Sequence, residues 1–596
     1  MSAVPEREEI DERHRWDLGS LFESDEAWAG ALEAAQARLD DLRAYEGRTT
    51  EDAATLRDLF ETYESVMRQV SNVAAYARMR RDEDTRDGDA QAMATRAQSL
   101  SSAAGSAASF IEPELQELNR EDIQQLIDEE PALETYEHYF DDVLRTKSHT
   151  RSAEVENLLA ELGEVTGAPG EIYNMLSNAD MEFPAVENPD GEPRQITLNN
   201  FTTLQRDPDR DFRRRVYEAF YDEWETVRNA VGTAYRKSIK TDEKLATARN
   251  YETAREGALH GPNIPVEVYD TLVETVRENL DLLHRHADLK REATDGDQLR
   301  MWDLYVPLVR EESPEVPYAD ACEYVVGAVE PLGEAYRDRL AEGLESRWVD
   351  VYETKGKQSG AYSGGTYDSQ PYILVNYQDD VESMYTLAHE LGHSMHSELA
   401  SEEQPYVYAD YEIFIAEIAS TVNETLLTHH LLETLEDDRL RRHVLNEYLE
   451  RFRSTLFRQT MFAEFEGRTH ELSADGEPLT ADRLDDLYHD LKGDYYEPAV
   501  LDERIAREWM RIPHFYRAFY VFQYATGISA AVALVENIRS EGESAARRYR
   551  EFLRSGSHGY PLELLETAGV DMTDAGTIES ALDVYDSYLD EFERLS

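Results

Sequence analysis

The segment His389-Glu390-Leu391-Gly392-His393 places two imidazoles four residues apart, with a carboxylate directly after the first. Positions i and i+4 share one face of a helix, so His389 and His393 can each turn a ring nitrogen toward a single ion. Glu390 then lies about 100° round the helix, close enough to reach water at the ion without being a ligand. A Zn²⁺ ion with an open position lowers the pKa of water to about 7, and Glu390 can take the proton as that water attacks a carbonyl. The chemistry indicated is metal-assisted hydrolysis. The plain alternative is a pair of surface histidines on a structural helix, and the apolar stripe Met384, Leu387, Ala388, Leu391, Met395 and Leu399 stands against it.

A catalytic zinc site needs a third protein ligand. Tyr411 to Glu424 reads as a second helix, in which Glu417 stands among apolar and small residues. An unpaired carboxylate is costly there, and a metal removes the cost. A salt-bridged helix carboxylate is the other reading of Glu417. Glu424 is two turns further on the same face, placed to orient a ligand histidine. His396 is expected to pack or support the site, and His429-His430 to lie at the surface or pack. Cys322, the single cysteine, is expected to pack as a small hydrophobe, and its being single excludes an intramolecular disulfide and a thiolate cluster holding a metal.

The elements that must position these groups are mainly helical. Apolar residues recur at helical spacing over Ala29–Tyr45, Leu56–Arg80, Ile123–Leu144, Phe212–Leu245, Tyr269–Lys290, Ala319–Leu344, Arg439–Phe465 and Glu541–Ser555. Strand signals are few. Phe183–Val186 and Gln195–Leu198 flank the turn Asn188-Pro189-Asp190-Gly191 and predict a hairpin. Leu304–Val309 and Pro371–Tyr377 predict two further strands, the latter after a glycine-rich stretch from Gly356 to Gly365. The division expected is a helical domain over 1–112, a second helical domain over 113–195 ending in the hairpin, and a catalytic domain over 196–596.

The 596 residues hold 60 Lys+Arg against 124 Asp+Glu, a net charge of −64. Only eight of the cations are lysines, and the acid surplus runs along the whole chain. Such a surface repels phosphates, so nucleic acid and anionic membranes are excluded as partners. It also repels itself unless molar salt shortens the Debye length to about 3 Å, which points to a halophilic protein working in a salt-rich cytoplasm. The charged N-terminus has no apolar signal segment, and the apolar run Ile528–Val535 is too short to span a bilayer.

His389–His396 and Phe414–Ser420 resemble the zinc site of oligoendopeptidase F, in the thimet-oligopeptidase group of metallopeptidases. Ser359–Ser363 with Pro371–Leu374, Gln404–Ala409, Phe457–Glu464, His514–Tyr520, Tyr524–Gly527 and Tyr560–Leu565 are similar to further blocks of that family, in the same order. The resemblance implies a large two-lobed helical enzyme with a small sheet beside an active-site cleft. It implies one Zn²⁺ per chain on His389, His393 and Glu417, with Glu390 as general base. Short unstructured peptides are the implied substrates. It also implies that His514, Tyr520 and Tyr524, with Tyr516 behind them, lie near the substrate carbonyl. Gly360, Ala361, Tyr362, Gly364 and Gly365 form the implied substrate-binding loop, before a strand able to pair with an extended peptide.

No Gly-x-Ser-x-Gly elbow, phosphate loop or dinucleotide-binding glycine motif competes with this reading. Two alternatives stay open on the sequence. A zinc carboxypeptidase or dipeptidyl carboxypeptidase would need a free C-terminus, and a peptide-binding protein without catalysis would have no use for Glu390. Co²⁺ or Mn²⁺ would also suit the ligands.

Overall fold

The computed structural model describes residues 4–294 and 297–596. The fold is mainly α, as expected. Long helices carry it: α1 Asp25–Arg43, α2 Ala53–Glu83, α3 Gly88–Ala108, α4 Gly163–Met175, α5 Arg210–Ala248, α6 Val381–Glu403, α7 Ile413–Thr434, α8 Arg458–Ala474 and α9 Phe522–Glu541. No helix among the described residues is long and apolar enough to cross a membrane.

Two compact units are each assembled from discontinuous stretches. One combines the chain up to Ser148 with Glu315–Thr434 and Leu534–Gly569, the other His149–Pro314 with Leu435–Ala533 and Val570–Ser596. They cut across the three consecutive domains expected: the 112/113 boundary falls inside the first unit and the 195/196 boundary inside the second. Packing between sequence-distant helices decides this, and such contacts leave no mark in local composition.

In the first unit α1, α2 and α3 share a core built on Trp16, Trp28, Leu56, Phe60 and Val66, which extends to Tyr372 and Leu374 of a small sheet. That sheet has the order β4-β6-β5, with β4 Val349–Tyr352, β5 Tyr362–Gly364 and β6 Tyr372–Tyr377. The central β6 is parallel to β4 and antiparallel to β5. Its Tyr-Ile-Leu-Val run is buried, as a strand covered on both faces requires. Lys357 ties the sheet's end together: its buried Nζ donates to the carbonyls of Asp350, Tyr352 and Val375 and pairs with Asp350 Oδ1 at 2.8 Å. Burial works against the Asp350 carboxylate, but Lys357 and Arg7 hold its pKa below the ordinary value.

Helices α6 and α7 meet backbone to backbone. A Cβ on Gly392 would stand 2.5 Å from Ser420 Cα and 2.6 Å from the Ala419 carbonyl oxygen, closer than packed atoms allow. Asn423 Nδ2 donates to the Ala388 carbonyl at 3.3 Å, and the Tyr385 and Thr428 hydroxyls lie 2.6 Å apart, bracketing that contact.

In the second unit β1 Ala185–Glu187 and β2 Pro193–Gln195 form the expected hairpin, shorter than the sequence signal. Leu304–Val309 is not a strand. Its backbone is held by side chains instead of a ladder: Asn446 Oδ1 accepts from Leu308 N at 2.7 Å, and Lys290 Nζ donates to the Val306 carbonyl at 2.7 Å. The strand β3 in this region is Leu299–Arg300, parallel to β7 Ala499–Val500. Four of the expected helices are interrupted. Pro131 opens a 3-10 turn inside Ile123–Leu144, and Asn279 breaks Tyr269–Lys290. Pro331 and Gly333, at φ +94°, divide Ala319–Leu344, while a π-helical turn over Phe452–Phe457 sits within Arg439–Phe465.

Gly392→Ala is expected to lower stability by about 1–3 kcal/mol, the usual cost of overpacking. The midpoint of chemical unfolding reads it. An unchanged midpoint would contradict backbone contact at this position.

Candidate metal centre

Asp380 caps α6 by accepting from Ser383 N at 2.8 Å, which sets the helix start two turns before the histidines. The stripe Met384, Leu387, Ala388, Leu391, Met395 and Leu399 is buried. His389 and His393 are held on the other side, their Nε2 atoms 3.2 Å apart. From α7, Glu417 Oε2 lies 3.4 Å from His389 Nε2 and 3.7 Å from His393 Nε2. Donors about 2.0–2.1 Å from a tetrahedral ion stand about 3.3–3.4 Å apart, so three donors at these separations fit one ion. All three side chains remain partly exposed, which leaves a side open to water or substrate.

Neighbouring groups fix the ring orientations. Glu424 Oε1 is 2.7 Å from His389 Nδ1, so Nδ1 is the nitrogen that keeps its proton and Nε2 the one that an ion would engage when the ring is neutral. Burial disfavours charge on His389, but Glu424, Glu390 and Glu417 together raise its pKa above the ordinary value. For His393, burial and the His389 charge act in the same direction and push the pKa to about 3, leaving a neutral imidazole able to ligate. His396 stacks on Tyr411 with centroids 3.6 Å apart and is buried, a packing role.

Glu390 is buried beside this cluster. Burial, reinforced by Glu417 and Glu424, raises its pKa to about 7 against the opposing His389 charge and the Ser363 backbone N–H. That N–H belongs to β5, and Ser363 Oγ also lies 2.8 Å from Ser394 Oγ on α6. The edge strand and the motif helix are thus joined at the carboxylate. Gly360, at φ +87°, and Ala361 line a cavity of about 440 Å³ with Asn376 and Thr386. Gly364 and Gly365 line another of about 550 Å³ with Arg78, Ser397 and Tyr406. Tyr362 turns to α2, where its hydroxyl donates to Asp82 Oδ2 at 2.9 Å and Arg78 lies over its ring.

His514, Tyr520 and Tyr524 gather in the second unit. The His514 and Tyr520 rings stack with centroids 5.8 Å apart, and the Tyr524 hydroxyl donates to that of Tyr520 at 3.3 Å. The Arg517 guanidinium lies 4.0 Å over the Tyr520 ring. Burial, then Arg458 and Arg517, push the His514 pKa down. Tyr516 does not join them: its ring stacks on Tyr173 of α4, with centroids 4.6 Å apart. Burial raises the Cys322 thiol to about 11, the opposite of an activated nucleophile.

The profile of peptidase family M3 matches residues 203–584, and that of oligopeptidase F matches 114–183. The chain belongs to peptidase family M3. It is therefore a metallopeptidase, a hydrolase. It is 42% identical to oligopeptidase PepF of Bacillus subtilis, over 99% of this chain and 88% of that one. Group B oligopeptidase PepB of Streptococcus agalactiae is 39% identical, over 99% and 98%. Among solved structures, oligoendopeptidase-F from Enterococcus faecium superposes with a TM-score of 0.73 at 36% identity, over 96% of this chain and 99% of that one.

One group in this M3 peptidase went unread in the sequence. Glu466 of α8 is buried and accepts from Phe519 N at 2.8 Å, holding Phe519 at φ +54° immediately before Tyr520. Its only local signal is a carboxylate set between Phe465 and Gly467, and the neighbouring Glu464, Arg468 and His470 make that signal weak. Burial raises its pKa to about 8, while the nearby His470 opposes the rise. Since an unfolded Glu ionises near 4.3, the neutral folded form stabilises fully below that pH and loses this advantage as pH rises toward 8. Between pH 5 and pH 8, wild type is expected to lose more stability than Glu466→Gln, by at least about 1.4 kcal/mol. Denaturant unfolding at the two pH values checks this, and a pH-independent gap between the proteins would contradict it.

Proposed function

We propose that this M3 peptidase is a zinc-dependent endopeptidase that hydrolyses internal bonds of short, unstructured oligopeptides. The observation that carries the reading is the convergence of His389 Nε2, His393 Nε2 and Glu417 Oε2 beside the buried Glu390. Two imidazoles and one carboxylate form a donor set suited to catalytic zinc. Zn²⁺ held there, one per chain, supplies Lewis-acid chemistry, polarising a carbonyl and making water more acidic.

The chain's own residues then divide the work. Glu424 keeps the His389 tautomer. Glu390 accepts the proton of the attacking water and returns it to the leaving amine. The open edge of β5, next to Glu390, pairs with an extended peptide through its backbone, with Gly360 and Ala361 admitting the chain closely. Backbone pairing gives affinity that depends little on side chains and requires an unfolded substrate. His514, Tyr520 and Tyr524 are the proposed donors to the carbonyl oxygen, where one preorganised donor contributes about 3–4 kcal/mol. We read the acid surplus as adaptation to a salt-rich cytoplasm.

The test is cleavage of a C-terminally amidated, unstructured decapeptide in molar KCl. Wild type is expected to cut internally, and Glu390→Gln, at equal zinc content, to lose at least about a hundredfold in rate. Cleavage confined to peptides with a free C-terminus would overturn the endopeptidase reading in favour of a carboxypeptidase. The same assay in dilute buffer reads the halophilic proposal, which requires loss of activity when salt is removed.

A further inference from the structure

Seven large hydrophobic residues are exposed among the described residues, and five of them fall between positions 158 and 175: Leu158, Leu162, Val165, Ile172 and Met175. Val165 is the most exposed, at 68%. Beside them α4 and α5 enclose a groove of about 910 Å³, in the upper part of the size range of ligand sites. One wall is apolar, with Leu162, Val165 and Ile172 among its residues. The other carries Lys237, Lys240 and Lys244 of α5.

The charge of this groove runs against the whole molecule. Asp and Glu make up 124 of 596 residues, yet no carboxylate lines it. Three of the chain's eight lysines do. Lys240 is neutralised locally, donating to Glu243 Oε2 at 2.7 Å and to the Ser473 carbonyl at 2.9 Å. Lys237 and Lys244 are exposed and form no ion pair among the described residues. Seven residues apart on one helix, they stand about 10.5 Å apart along its axis. In an extended chain with an acidic residue at every second position, the carboxylates share one face and recur about every 6.6 Å, so two of them four residues apart span about 13 Å, within the reach of the flexible lysine stems.

We infer that this groove is a binding site for a peptide segment in which apolar and acidic side chains alternate. The apolar side chains fill the α4 wall and the carboxylates reach Lys237 and Lys244. A second copy of the chain fits poorly. Outside this patch only Val4 and Ile413 are exposed large hydrophobics among the described residues, which offer no second apolar surface to match the groove, and a two-fold pairing would set lysines against lysines. An anionic bilayer would face the acid-rich exterior around the groove as well, whereas a short segment meets only the groove, which no carboxylate lines. The inference goes beyond the oligopeptidase reading, because binding is measured without turnover while cleavage by wild type is scored separately.

The experiment measures fluorescence anisotropy of two labelled decapeptides, one alternating leucine with aspartate and the other leucine with lysine. Both are titrated with Glu390→Gln protein in the lowest KCl that keeps it folded. Adding Lys237→Glu and Lys244→Glu is expected to weaken the acidic peptide at least tenfold and strengthen the basic one at least tenfold. Val165→Ser with Ile172→Ser is expected to weaken both peptides. Because all four positions face solvent, unfolding midpoints should match the parent and confirm folded variants. Acidic-peptide affinity that ignores the charge reversal would overturn the proposal. So would a dimer in light scattering that Val165→Ser with Ile172→Ser dissociates, or binding to anionic vesicles in place of the peptide.

Discussion

The backbone contact between α6 and α7 at Gly392 is the constraint on which the metal centre depends. His389 and His393 come from one helix and Glu417 from another, so their spacing is only as fixed as the distance between helix axes. Any side chain at position 392 would meet Ser420 and Ala419 and drive the helices apart. Close approach also lets Glu424 reach His389 and Asn423 reach the Ala388 carbonyl. Interhelical packing, ring tautomer and ligand geometry thus follow from one missing methyl group.

The sheet completes the site by a different route. β6 is buried on both faces and anchored in the same core as α1 to α3, while β5 is an edge strand of the sheet. The Ser363 N–H of that strand meets Glu390, so the strand proposed to hold a peptide and the base proposed to act on it are linked by one hydrogen bond. The lysines show how an acid-rich chain spends scarce flexible cations. Lys290, Lys357 and Lys492 are buried, the last two paired with Asp350 and Glu508 at 2.8 and 2.7 Å. Lys237, Lys240 and Lys244 line the groove. Arginine takes most surface pairs, each worth little alone.

Much of the centre was legible because its signals are local. Spacing of four marks His389 and His393, a carboxylate among apolar residues marks Glu417, and two turns more mark Glu424. Pro371–Tyr377 read as a strand for the same reason, an unbroken apolar run. What stayed hidden depends on contacts between distant segments. Leu304–Val309 has the composition of a strand, but Asn446 and Lys290 occupy its backbone, and nothing local announces them. Tyr516 shares a segment with His514 and Tyr520, yet Tyr173 draws its ring into packing. The two units are likewise built from discontinuous stretches, which no boundary in composition foretells.

The proposed mechanism rests on one zinc ion held by His389, His393 and Glu417. Elemental analysis with X-ray absorption of the purified protein tests it most directly. One Zn²⁺ per chain is expected, with nitrogen and oxygen neighbours at about 2.0–2.1 Å, and that zinc is lost in both His393→Ala and Glu417→Ala. Zinc retained at full stoichiometry and unchanged coordination in either variant would contradict it.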